Sequence, residues 1–580
     1  MTINRASVIK REKMNKFLYI FIIISLIFNI VYAQKKAVAP PTPIDLPSDT
    51  AKAVTRQTTR VDIKNSQLNL PDVLILGKDK TKREITNKHD FFKDSPTLIK
   101  PEMTNNPVSI WFSRESAKPE IEKKSEINNR LNWGQFFGGG YTTLTADAGH
   151  WQKLAKGDIS MHGWLDRSSG QFKNSQYLTG GISGKGNIIL APNVTGSVRA
   201  EYDLNNKGLY NALNKDNLKR KINSIIFGSE LIYDFAGLSD GVLGFEINNT
   251  NLQSDTTLQY EKRENFWYNI YFNYTKYFSF LQLTASGRYI RETSSFESDS
   301  ANTKDSFGEA GLEALSQISS KMIFAVGANY QMTKTDSLSN ESKISPYAKI
   351  NFMPDRRLGL SLKYQSGMKY NTFSEWLGKN PFLDHSTPPV IEKEKHAVLF
   401  DIDYEPVSKF KLHAGISHRI MESLPYWESE QTTQLVQLKS MQNPELTEMN
   451  FGFHAKINDQ TQIQVYYIHH LDKIDKNTTL SSTDKIPYRP EYRIPVNATF
   501  KLLKGTFLMI NADIYGPRAS TPDSGDDLAS FTLVNAGIKQ NFGKFNAHIS
   551  VRNLFDSEYV MWKYFPETGI YILGGISAKF

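Results

Sequence analysis

The feature that most constrains this 580-residue chain is a two-residue apolar alternation that recurs along its C-terminal four-fifths and runs to the last residue. In the final ten residues, Ile572, Gly574, Ile576, Ala578 and Phe580 share one face, and Leu573, Gly575, Ser577 and Lys579 share the other. The cleanest case is Lys544 to Asn553, where Phe545, Ala547, Ile549 and Val551 alternate with Asn546, His548, Ser550 and Arg552. Phe410, Leu412, Ala414 and Ile416 repeat the pattern, as do Val496, Ala498, Phe500 and Leu502, and Thr506, Leu508, Ile510, Ala512 and Ile514. A period of two is the period of a β-strand, whose successive side chains point to opposite faces.

Alternation alone fits a soluble sandwich as well as a membrane barrel. The connections separate the two. Short ones fall near 191–193, 319–320, 354–355, 458–459, 504–505 and 543; between them lie long ones, near 369–394, 420–447, 472–488, 516–528 and 554–568. Tight turns at one end and long loops at the other are the habit of transmembrane barrels. The expected fold is therefore all-β, a closed antiparallel transmembrane β-barrel of about 22 strands (range 18–22). Its first pair is expected near Leu131–Phe137 and Tyr141–Ala148. A mean hydropathy of −0.43 agrees, because only alternate barrel residues need face lipid.

The apolar run Phe17 to Tyr32 follows Lys13 and Lys16 and ends at Val31-Tyr32-Ala33. It is long enough for a signal-peptide core and short for a spanning helix. The expected organisation is a signal peptide over 1–33, with Met14 as an alternative start, and a Pro-rich periplasmic linker over 34–60. An irregular segment or reduced plug follows over 61–128, and the outer-membrane barrel fills 129–580. The absence of cysteine excludes disulfides and thiolate metal sites. The net charge of +9 is spread along the chain, so no basic face points to nucleic acid.

Three stretches carry a family resemblance. Val551-Arg552-Asn553-Leu554-Phe555-Asp556-Ser557-Glu558-Tyr559, with Pro566, Gly569 and Phe580, resembles the closing signature of TonB-dependent receptors. Tyr370 to Phe382 resembles an external-loop segment of that family, and Gly134 to Tyr141 is similar to its first hairpin after the plug. The resemblance implies an outer-membrane barrel that binds or transports a solute. It departs from the family before the barrel, where only about 95 residues follow the expected cleavage site. A barrel of about 22 strands encloses a lumen that something should fill. The candidates are residues 61–128, the external loops, or a periplasmic partner that supplies a plug or couples energy. The alternative function is a non-transporting scaffold or accessory barrel that docks periplasmic or surface partners.

Candidate binding residues are the loop aromatics Tyr370, Phe373, Trp376, Tyr426, Trp427, Trp562 and Tyr564, a composition that suits solute capture as well as interface anchoring. The run Asp72-Val73-Leu74-Ile75-Leu76 is a candidate partner-docking strand, or a strand that seals the lumen. No catalytic, cofactor or metal-binding set is expected. His418 lies two strands from His469 and His470, roughly 10 Å away at ordinary strand spacing. His548 and Ser550 share a lumen-facing side, the wrong side for an enzyme acting on membrane lipid.

Overall fold

A computed structural model describes residues 130–579, apart from 173, 210–218, 236–237, 256–259, 279, 297–301, 337–339, 430–434, 459–460, 475–484 and 523–526. The expectations for 1–33, 34–60 and 61–128, the strand 72–76 among them, lie outside the described residues, as does Phe580.

Twenty-two antiparallel strands form one closed sheet. Each pairs with the next barrel strand in the chain, and the first, Arg130–Gly139, pairs with the last, Tyr571–Lys579, from Trp133↔Lys579 to Gly139↔Leu573. Closure leaves no unpaired edge, which is what lets a β-structure cross hydrocarbon. The first connection corrects one expectation: Tyr141 does not open a strand. It sits in a single 3-10 turn, Gly140–Thr142, with φ of 55°, and the second strand runs Thr143–Leu154.

One end of the barrel carries ten connections of two or three residues. The other carries the long ones, among them 371–390, 474–491 and 553–570. All the short and long connections expected from the sequence fall at their respective ends. The apolar faces also fall as the alternation requires. Leu412, Ile416, Leu502, Phe545, Ile549 and Ile576 are exposed on the outside, whereas His413, His548 and Leu573 on the opposite face are buried. Ile182, Ile225, Leu243, Ile270 and Phe272 extend the exposed apolar surface around the wall. A continuous apolar outer surface over a polar inner one is the pattern that lipid demands.

The strands are unequal. Tyr571–Lys579 has 9 residues and Phe545–Arg552 has 8, close to the span of a bilayer. Lys219–Phe235, Tyr260–Tyr277 and Leu281–Phe296 have 17, 18 and 16, and Phe410–Ser429 has 20. Because the turns at the other end are tight, the excess projects at the loop end. Val436–Gln442 adds a further ribbon there, folding back on Ser423–Ser429 while Phe410–Ile420 continues the barrel against Glu445–Asn458. The main buried apolar core of the molecule sits among these projections and loops.

Candidate functional site

The site is built on connection 371–390. Its sequence Thr372-Phe373-Ser374-Glu375 is a capping box: the Thr372 hydroxyl accepts the Glu375 amide, and the Glu375 carboxylate accepts the Thr372 amide at 2.7 Å. That nucleates the short helix Phe373–Lys379, in which Phe373, Trp376 and Leu377 are buried. Asn380 ends it, and its side-chain oxygen turns the chain by accepting the Phe382 amide at 2.9 Å. Leu383 then bridges to Val436, with the Asp384 amide donating to the Val436 carbonyl at 2.7 Å.

Buried polar groups on the projecting wall hold this connection by its main chain. Arg220 donates to the carbonyls of Pro381 and Leu383, both at 2.7 Å, and to the Ser254 hydroxyl. Arg263 donates to the carbonyls of His385 and Thr387 at 2.8 and 2.9 Å and stacks over the Phe373 ring at 3.4 Å. Glu292 accepts the Phe373 amide at 2.7 Å, the Asn265 amide group at 2.6 Å and the Tyr370 hydroxyl. Trp267 donates to the Ser374 hydroxyl at 2.8 Å. A guanidinium presents several donors in a fixed fork, so one arginine can hold two carbonyls of an irregular loop that has no helix or sheet to satisfy them.

Within the connection, Asp384 accepts the amide and hydroxyl of Ser386 at 2.8 and 2.7 Å and lies 3.3 Å from His385 Nδ1. Burial alone would raise its pKa. The hydrogen bonds from His385 and Ser386 outweigh that and lower it to about 2, so the carboxylate stays charged.

On this frame the loops share one apolar core. Trp376 meets Trp427 edge-on at 5.6 Å, Trp427 meets Trp562 at 5.6 Å, and Tyr488 packs on Trp562 at 4.9 Å. Phe382 stacks on Phe565 at 3.7 Å. Leu209, Leu252, Leu435, Val436 and Leu438 complete the buried part, with Phe172, Leu528 and Tyr564 against it. These residues come from projecting strand ends and connections distributed around the circumference. They can meet only by reaching across the mouth, so the loops form a lid over the lumen.

The lid places each candidate aromatic. Phe373, Trp376 and Trp427 are buried in the shared core, and Trp562 and Tyr564 are half-buried against it. Tyr370 belongs to a flanking cluster with Ile290, Phe307, Met368 and Ile391, and Tyr426 to another with Met421, Leu424 and Met441. The aromatics therefore face one another more than they face outward. Sequence reading missed Arg220, Arg263, Glu292 and Tyr488, the residues that organise the lid. Their one signal is an inward register near a strand end, which every lumen-facing polar residue shares.

The histidine pairings differ from a metal site. His418 contacts Thr447 at 2.9 Å, His469 stacks on Tyr467, and His470 faces the other side, 3.1 Å from Glu448. His548 meets Ser577 at 2.9 Å.

No protein-family model matches the sequence, and no curated protein matches it. Solved structures do match the fold. The copper transporter OprC superposes with a TM-score of 0.64 at 9% identity, over 78% of this chain and 80% of that one. The FrpB iron transporter of Neisseria meningitidis, in an apoprotein form, gives 0.65 at 9% identity, over 78% and 81%. The siderophore receptor PiuA of Acinetobacter baumannii gives 0.60 at 10%, over 78% and 82%. At such identities the likeness is one of fold, and that fold is the closed barrel of about 22 strands expected from the alternation and the connection lengths.

Proposed function

From a barrel with the fold of TonB-dependent receptors, we propose an outer-membrane protein that binds a solute at its external loops and admits it to the lumen. The carrying observation is the lid: a wide barrel whose mouth is crossed by loops that share one core and hang on two arginines. A lid of this kind excludes solutes until it moves, and release of connection 371–390 from Arg220 and Arg263 would open it. The proteins of like fold, a copper transporter, an iron transporter and a siderophore receptor, support a transport role. The apolar outer surface supports residence in an outer membrane of Gram-negative type, with the lid outside and the tight turns in the periplasm. In this reading the aromatics Tyr370, Phe373, Trp376, Tyr426, Trp427, Trp562 and Tyr564 contribute to the solute site as the lid opens. Residues 61–128 act as a reduced plug, and strand 72–76 offers an edge to a periplasmic coupling partner. No catalytic role is proposed.

The depth of the lid's anchoring favours a second reading, in which the mouth stays shut and the barrel is a scaffold. Arg263 and Glu292 are both buried to within 2% of full burial, which makes the anchor costly to break. Single-channel conductance in planar bilayers separates the two. The comparison is between the mature chain and a form lacking residues 34–128, each with and without Arg220→Ala and Arg263→Ala. Under the transport reading, the shortened form conducts in gated steps, and loosening the lid lengthens its open periods. Under the scaffold reading, the shortened form with an intact lid is silent, and the chain drops out of the transporter class.

A further inference from the structure

Inside the barrel, well away from the Arg220 and Arg263 anchors, three adjacent strands bring a histidine, two aspartates and an asparagine together over a glycine. The strands are Ile391–Val407, Phe410–Ser429 and Glu445–Asn458. Asp403 lies opposite His413. Asp401 lies opposite Gly415, and Gly415 lies opposite Asn450. All five positions face the lumen, because the residues that flank them in the alternation, Phe400, Leu412, Ile416 and Phe451, are exposed on the lipid face.

The missing side chain at Gly415 makes the convergence possible. A Cβ there would lie 2.7 Å from an Asp401 carboxylate oxygen and 2.8 and 2.9 Å from the nitrogen and oxygen of the Asn450 amide, so both side chains lean over the glycine from opposite sides. His413 completes the set. Its Nδ1 lies 2.9 Å from an Asp403 oxygen, and a proton donated to that oxygen would leave the Nε2 lone pair for a metal. Nε2 points toward Asp401 at 3.9 Å. Neither His413 Nε2 nor Asn450 Oδ1 has a partner within hydrogen-bond geometry among the described residues, although the two side chains face each other. Yet the His413 side chain is only 6% exposed, and Asn450 5%. Buried polar atoms without partners are rare and require an explanation. Tyr466 stands edge-on to the imidazole at 6.2 Å, over Gly452, and closes one side.

We propose that His413 Nε2, an Asp401 oxygen and Asn450 Oδ1 bind a divalent transition-metal cation, with Asp403 orienting the histidine. Metal–nitrogen and metal–oxygen bonds of about 2.0–2.2 Å let one ion bridge atoms up to about 4 Å apart, which accommodates the 3.9 Å gap. One nitrogen and two oxygen donors suit zinc, copper, nickel or cobalt better than calcium or magnesium. A carboxylate on the second imidazole nitrogen is the usual support of a ligating histidine. Both aspartates keep 33% side-chain exposure, so the site opens to the lumen and leaves coordination positions for water or a solute donor. Among the described residues no three His, Cys, Asp or Glu form a metal-holding group. This site differs by taking an amide oxygen as its third ligand.

The test is Co²⁺ titration of the folded full-length protein in detergent, read by visible absorption, with Zn²⁺ competition by calorimetry. The expected result is a histidine-containing Co²⁺ band displaced by Zn²⁺ and unaffected by excess Ca²⁺. His413→Ala and Asp401→Asn should each weaken binding at least tenfold, and Asp403→Asn by 10–100-fold. Gly415→Ala removes no ligand but fills the space over the glycine, and should also weaken binding at least tenfold. His470→Ala, at a histidine paired elsewhere, should leave it unchanged. Heat-modifiable gel mobility verifies that each variant keeps its barrel. Absence of Co²⁺ binding by the folded protein, or binding that survives His413→Ala and Asp401→Asn, overturns the proposal.

Discussion

The two ends of this barrel are made from the same strands and obey different rules. At the turn end, two or three residues join each pair, and glycines such as Gly505 and Gly543, with φ of 81° and 83°, make the tight reversals. At the loop end, connections of up to 20 residues abandon the strand pattern and bury a core of their own. The turn end needs only local geometry. The loop end needs partners far apart in the chain: Arg220 and the Pro381 carbonyl it holds are 161 positions apart. Perturbation should therefore spread at the loop end and stay local at the turn end.

That contrast is sharpest at Arg263. Arg263→Ala removes two charge-assisted loop hydrogen bonds and the cation stacked on Phe373, each such hydrogen bond being worth about 1.5–3 kcal/mol. With a reporter cysteine at Leu383, a fully buried lid position, maleimide labelling should accelerate by at least a hundredfold. Gel mobility of the barrel should be unaffected. Trp376→Ala should act comparably or slightly less, at about 3–5 kcal/mol for an aromatic truncated in a packed site and less where the loops relax. It should unseat the 427 and 562 regions as well, which hydrogen exchange by mass spectrometry would register. Labelling no faster than in the parent would mean that the lid does not depend on its core.

A smaller effect follows from acid. The Asp384 carboxyl, ordinarily near 3.8, is held at about 2. A lowered folded-state pKa stabilises above the ordinary value, so its contribution should be complete above about pH 4 and lost as pH falls toward 2. Tryptophan emission from the lid should shift across that window in the parent chain, and the part due to Asp384 should be absent in Asp384→Asn. Thr372→Ala breaks the capping box for about 1 kcal/mol, a roughly fivefold rise in reporter labelling. Least of all, two residues inserted between Ser320 and Lys321 should leave the lid reporter unchanged, since lengthening an exposed turn costs little. A response there would erase the distinction between the two ends.

The same contrast explains what was legible in the sequence. Alternation at Phe545–Val551 and Phe410–Ile416 specifies which face meets lipid, because a one-residue slip would reverse every side chain. Connection lengths distinguish the ends. The aromatic loops were visible too, but not the direction their rings face. Whether Trp427 meets solvent or Trp376 depends on how far the wall projects and which loops cross the mouth, and no local pattern encodes that. Arg263 and His413 were hidden for a related reason. Each is one polar residue in an inward register, and only its neighbours on other strands give it a role. Gly415 is legible only once Asp401 and Asn450 are known to flank it.

The measurement closest to the central claim is cysteine labelling on intact cells, and the chain's lack of native cysteine makes it clean. An impermeant maleimide is applied to single variants Gly378→Cys, exposed on the lid helix, and Leu383→Cys, buried beneath it. A lid seated over an outward-facing mouth predicts fast labelling at 378 and protection at 383, relieved by Arg220→Ala and Arg263→Ala. Equal, rapid labelling at both positions in the parent chain would contradict it, and would mean that the loops do not close the barrel.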